Sequence, residues 1–150
     1  MYLRNLALHI VYGDYMDKVV HFEIPADNVQ RANKFYSKVF GWEIKKFPMP
    51  DPSMEYYGAT TVPVDKKMMP KEPGAINGGM TKRNPMVKTI SIAIQVSSVD
   101  KYQKKVVEAG GKIVVPKMNV MDMGFLAYIQ DTEGNVIGIW ENAPPKTKKK

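Results

Sequence analysis

Over residues 19–24 apolar and polar positions alternate: Phe22 and Ile24 fall on one side, His21 and Glu23 on the other. That is the period of a strand with one packed face and one polar face. Pro25-Ala26-Asp27-Asn28 ends the strand, and Asp27 or Asn28 suits a helix cap that accepts backbone N–H bonds. The period then changes. Val29, Ala32, Phe35, Tyr36, Val39 and Phe40 form an apolar stripe at helical spacing, and Gly41 suits the left-handed residue that closes a helix. Residues 42–47, 55–62 and 75–80 read as further strands, separated by loops rich in proline and lysine. The plan then restarts. Residues 87–96 read as a strand, Ser97 or Ser98 as a cap, and Val99, Tyr102, Val106 and Ala109 as a helix face ended by Gly110-Gly111. Residues 112–115, 125–130 and 136–141 supply the remaining strands, with Gly134 expected at positive φ in the turn 131–135.

The two halves can be laid on each other with an offset of 70 residues and no insertion. Ile24 then falls on Ile94, Val29 on Val99 and Gly41 on Gly111. The element order is βαβββ, twice. Two copies of one unit in so short a chain imply a pseudo-symmetric single domain with a cleft where the copies meet. The expected boundaries are an amino-terminal extension over 1–18, a domain over 19–143 made of modules 19–80 and 87–143, and a basic disordered tail over 144–150. Within the extension, Leu6, Leu8 and Ile10 alternate, so residues 2–12 are an expected extra strand. Whether the first fifteen residues are an appended element or the product of an upstream start codon stays open.

Composition narrows the class. At 150 residues, 44% hydrophobic and 25% charged, the chain has globular values and room for one core. No apolar run reaches the roughly 18–20 residues of a membrane span. His9 interrupts the apolar run at 6–12 and no small-residue cleavage site follows, which argues against a signal peptide. Zero cysteines exclude disulfides, thiolate nucleophiles and thiolate metal sites, and a cytoplasmic location is expected. Of the net charge of +7, Lys146, Lys148, Lys149 and Lys150 supply four, so nucleic-acid binding is not expected of the body.

The doubled order and three phrases within it resemble the glyoxalase/bleomycin-resistance/dioxygenase group, the vicinal oxygen chelate superfamily. The phrases are Phe35-Tyr36-Ser37-Lys38-Val39-Phe40-Gly41-Trp42, Asn77-Gly78-Gly79-Met80 and Asp131-Thr132-Glu133-Gly134-Asn135-Val136-Ile137-Gly138. The resemblance covers about residues 19–143. It implies an α+β fold in which two βαβββ modules form a curled mixed sheet around a cleft. It also implies one divalent metal that chelates vicinal oxygens of the substrate, held by His, Gln or Glu from the first and last strands of each copy. Carried over position by position, the ligand set falls on His21, Gly78, Ser91 and Gly138. One ligand of four survives, so no complete metal site and no cofactor are expected.

These residues lead to a site expectation. His21 and Glu23 share a strand face and make either a polar recognition pair or a general base with its orienting carboxylate. Gly78 and Gly79 leave space for a ligand or mark a bend in the strand. Trp140 shares strand parity with Gly138 and makes an aromatic wall or a piece of the core. Met118, Met121 and Met123 surround an expected loop over the cleft. The expected ligand-binding residues are therefore His21, Glu23, Gly78, Ser91, Gly138 and Trp140. The expected function is binding of a small apolar or aromatic molecule in the cleft. The alternative is a lyase, isomerase or dioxygenase with a rearranged metal site that uses His21 and Glu23, or a metal-free epimerase-like activity on the same pair. A homodimer is expected, because open sheets leave strand edges to be covered.

Overall fold

The computed structural model describes residues 16–146. The expected strand at 2–12 and the end of the basic tail lie outside the described residues. The fold is α+β, an eight-stranded mixed sheet that does not close, with two helices on one face.

In the first half, β1 (Val19–Ala26) leads to α1 (Val29–Phe40), β2 (Glu43–Phe47), β3 (Tyr56–Thr60) and β4 (Gly78–Lys82). In the second, β5 (Ser91–Gln95) leads to α2 (Val99–Glu108), β6 (Lys112–Val120), β7 (Gly124–Gln130) and β8 (Val136–Asn142). The strand order is β2-β3-β4-β1-β5-β8-β7-β6. Within each half the first and last strands pair in parallel, and β1 and β5 join the halves antiparallel. Each half thus repeats the other's wiring about the β1/β5 seam. Several expected strands are trimmed: β5 starts at Ser91, not at residue 87, and β4 spans Gly78–Lys82, a shift from the expected 75–80.

Local chemistry explains the joints. Asn28, not Asp27, caps α1, its side chain accepting from the Arg31 N–H at 2.8 Å. Ser98, not Ser97, caps α2. Gly41 takes φ 68° and its N–H donates to the Ser37 carbonyl, so the chain can turn back. Ser37 Oγ and Asn33 Nδ2 then donate to the Trp42 and Ile44 carbonyls at 2.9 and 3.1 Å, which ties the helix to the incoming β2. Asn77 Oδ1 accepts from the Thr61 N–H at 2.8 Å and fixes the end of β3 beside the start of β4.

The core divides the same way as the sequence. Ile24, Ala26, Val29, Ile44, Ala59 and Met80 cluster under α1, with Phe22, Tyr36 and Trp42 packed against them. Val96, Val99, Ala127, Ile129 and Ile139 cluster under α2. Tyr36 stacks on Trp42 with centroids 5.2 Å apart and rings 11° from parallel. Because both helices cover one face only, the residues alternating out of the two clusters all point to the other face. That face carries the polar chemistry.

Candidate ligand site on the helix-free face

Strand pairing lays out two rows across the helix-free face. One runs Gly58, Gly79, Glu23, Ser91. The next runs His21, Ala93, Gly138, Tyr128. Trp140 lies one row further, paired with Gln95 and Leu126. Alternation along β1 therefore sends His21 and Glu23 together onto this face, while Phe22 and Ile24 enter the core between them.

The centre is a hydrogen-bonded trio. His21 Nε2 lies 2.6 Å from Glu23 Oε1, and the Tyr56 hydroxyl donates to the same oxygen at 2.6 Å. Tyr56 Oη and His21 Nε2 are 3.1 Å apart. The second carboxylate oxygen, Glu23 Oε2, is buried and has no partner among the described residues. A buried carboxylate oxygen left bare is costly, and such groups mark sites where another donor belongs. The surroundings keep both nearby phenols protonated. Burial, reinforced by the Glu23 charge and by its hydrogen bond, raises the Tyr56 hydroxyl well above the ordinary range. Burial and the same carboxylate push Tyr128 up to about 12.

Tyr56 is the residue that sequence reasoning missed. It reaches Glu23 from β3 by leaning across β4, and only a glycine permits this. A Cβ built at Gly79 would lie 1.9 Å from the Tyr56 hydroxyl and 2.8 Å from Glu23 Oε1. The expected Gly78 is corrected by one position: a Cβ there would meet Phe22 at 2.4–2.6 Å, on the helix side. Strand parity is the reason, since Gly79 is the residue that pairs with Glu23. Ser91 and Gly138 do face the site side. Ser91 is buried and donates its hydroxyl to the Val136 carbonyl at 2.8 Å. Gly138 has Ala93 and Leu126 against it, 3.2–3.3 Å from a built Cβ. Trp140 is half-buried, its indole N–H donating to Asn142 Oδ1 at 2.7 Å.

The methionine loop is also corrected. β6 extends to Val120, and a hairpin turn with Met121 and Asp122 at φ 50° and 58° leads straight into β7, so there is no mobile flap. The cause is the tight turn itself: Met123 N–H donates to the Val120 carbonyl at 2.9 Å. Met118 lies in the strand opposite Leu126.

Two depressions lie elsewhere, one of about 470 Å³ bordered by Gln95, Ser97 and Phe125, the other of about 410 Å³ bordered by Phe47, Asp51 and Met54. Neither includes the trio, and neither brings titratable groups together as the trio does.

The fold and the doubled wiring have a counterpart among known proteins. The sequence profile of the Glyoxalase/Bleomycin resistance protein/Dioxygenase superfamily matches residues 18–139. This chain belongs to that superfamily. It is 32% identical over 111 residues to CFP32 of Mycobacterium bovis, a proposed glyoxylase, covering 73% of this chain and 40% of that protein. It is 26% identical over 133 residues to the anthracycline biosynthesis protein DnrV of Streptomyces peucetius, covering 79% of this chain and 45% of that one. The chain thus spans less than half the length of these curated relatives. Among solved structures, the protein BH1468 of Bacillus halodurans superposes with a TM-score of 0.63 at 15% identity, over 89% of this chain and all of that one.

Superfamily members often use a metal, which needs about three converging donors. Among the described residues no three His, Cys, Asp or Glu side chains converge. His21 and Glu23 bring two donors. The third candidate, the Tyr56 phenol, is held protonated. Gly79, Ser91 and Gly138 offer no metal-binding side chain of the usual kind. The described residues of this face supply two such donors, short of the three that a divalent site ordinarily takes.

Proposed function

We propose that this superfamily member binds a small apolar or aromatic molecule on the helix-free face, over His21, Glu23 and Tyr56, without a complete metal site. The observation that carries the reading is the bare Glu23 Oε2 inside an otherwise satisfied hydrogen-bonded trio. Leu126, Tyr128 and Trp140 on the second half supply apolar and aromatic surface beside it. The relative DnrV is named for anthracycline biosynthesis, which supports a ring-bearing ligand. The test is mass spectrometry of small molecules released by denaturing the purified full chain. A molecule retained by the wild type and lost from Glu23→Gln is expected. Equal retention by both contradicts the site. Near-stoichiometric zinc, nickel, iron or manganese surviving dialysis contradicts the metal-free part.

A second reading uses the same carboxylate as a general base. The bare Oε2 is an acceptor for a substrate proton, with His21 and Tyr56 orienting Oε1. On this reading the protein is an isomerase or epimerase, and His21→Ala abolishes turnover of an identified substrate while the fold persists. Unchanged turnover removes it. Neither reading calls on a membrane or a nucleic acid, and no helix among the described residues is long and apolar enough to cross a bilayer.

A further inference from the structure

The chemistry of the ligand follows from which groups on the face are already spent. This step rests on the small-molecule reading above and names what the molecule carries. The hydroxyl of Tyr56 and Nε2 of His21 both converge on Glu23 Oε1. The Ser91 hydroxyl is used on the Val136 carbonyl, and the Trp140 indole N–H on Asn142. These groups on the face are therefore turned inward, the Tyr128 hydroxyl is a further donor on it, and acceptor capacity remains at Glu23 Oε2. The lysines that register places on this face lie on the outer strands. Register places Lys45 opposite Gly58 on β2 and Lys112 opposite Gln130 on β6, and Lys45 is already paired with Glu43. A bound anion would sit beside the Glu23 carboxylate.

The halves also differ in room. Gly79 and Gly138 hold equivalent places, each on the last strand of its half beside the first. Their outer neighbours are Gly58 in the first half and Tyr128 in the second. A Cβ built at Gly58 meets nothing within 4 Å. Where the second half is filled by a phenol ring, no described residue fills the first half next to the Tyr56 ring.

We propose that the ligand is a ring compound bearing a hydrogen-bond donor, an amine or a hydroxyl, and not an anion. Its ring lies over Gly58 against Tyr56, and its donor satisfies Glu23 Oε2. A partial turn of the carboxylate about its soft terminal torsion brings that oxygen within reach while His21 and Tyr56 stay on Oε1. Carboxylates and phosphates are rejected because the Glu23 carboxylate repels them.

The experiment titrates the full chain with three probes that share one ring: 1-naphthylmethylamine, 1-naphthalenemethanol and 1-naphthoate. The amine and the alcohol are expected to bind at least about ten-fold more tightly than the carboxylate, the scale of one charged hydrogen bond. Glu23→Gln should remove most of that preference. Gly58→Phe, whose side chain enters open space, should keep its thermal transition and lose the amine. Naphthoate binding as tightly as the amine, through a site that Glu23→Gln and Gly58→Phe both alter, overturns the donor inference and leaves the small-molecule reading standing. Amine binding unchanged by Gly58→Phe overturns the seat. Binding of no probe, or binding that neither substitution changes, overturns the small-molecule reading together with the inference.

Discussion

Gly79 is the residue on which the arrangement of the trio most depends. With 1.9 Å between a built Cβ and the Tyr56 hydroxyl, Gly79→Ala must displace Tyr56 from Glu23. We expect a loss of about 1–3 kcal/mol in stability, and a Tyr56 phenol that ionises closer to its ordinary range once freed of the carboxylate. Spectrophotometric titration of the variant checks this, and an unmoved late phenol counts against the geometry. The same method tests the wild type. Tyr128 is pushed up to about 12 from an ordinary 10.0, and Tyr56 moves in the same direction. The folded chain therefore holds these protons more tightly than the unfolded one. Their contribution is intact below pH 10 and is lost as pH rises through the folded values. Tyr56→Phe and Tyr128→Phe should each delete a late-ionising phenol. His21 and Glu23 were legible in the sequence, because period-two alternation alone places them together. Tyr56 was not, because its partner lies 33 residues away across an intervening strand. Pairing register, not local pattern, brings it there, and the same register decides between Gly78 and Gly79.

At the scale of elements, caps and turns carry the testable energetics. Asn28 accepts from the Arg31 N–H at the start of α1, so Asn28→Ala should cost about 1 kcal/mol, measurable as a shift in denaturant midpoint. The β6/β7 hairpin carries the opposite opportunity. Met121 and Asp122 both sit at positive φ, a conformation that costs residues with a Cβ roughly 1–2 kcal/mol each. The double change Met121→Asn, Asp122→Gly supplies the residues that a type I′ turn prefers and should raise stability by about 1 kcal/mol. A lower melting temperature for that variant contradicts the turn assignment. Element type and order followed from the sequence throughout residues 19–142. Strand ends did not, because pairing partners set them: Val87 is buried yet stands outside β5, and β6 runs on to Val120 because β7 pairs with it that far. The flap expected over the cleft failed for the same reason, since methionine content says nothing about whether a connection is a long loop or a tight turn.

On the scale of the whole molecule, the doubled sequence is a doubled fold whose halves have diverged in chemistry. The first half holds His21, Glu23 and Tyr56. The equivalent places in the second are Ser91, Ala93 and Leu126. The sheet ends in two outer strands, β2 and β6, and α1 exposes Phe35, Val39 and Phe40. A homodimer that covers part of this apolar surface is expected, with a mass near twice 17.0 kDa by light scattering. A monomer at high micromolar concentration speaks against it. The central claim is that the working surface is the helix-free face, and chemical-shift mapping tests it most directly. Isotope-labelled full chain is titrated with 1-naphthylmethylamine, and the amides that shift are assigned. Shifts concentrated at His21, Glu23, Tyr56, Gly58 and Gly79 are the predicted result. Shifts confined to the helices, or to the depressions beside Ser97 and Asp51, would contradict it.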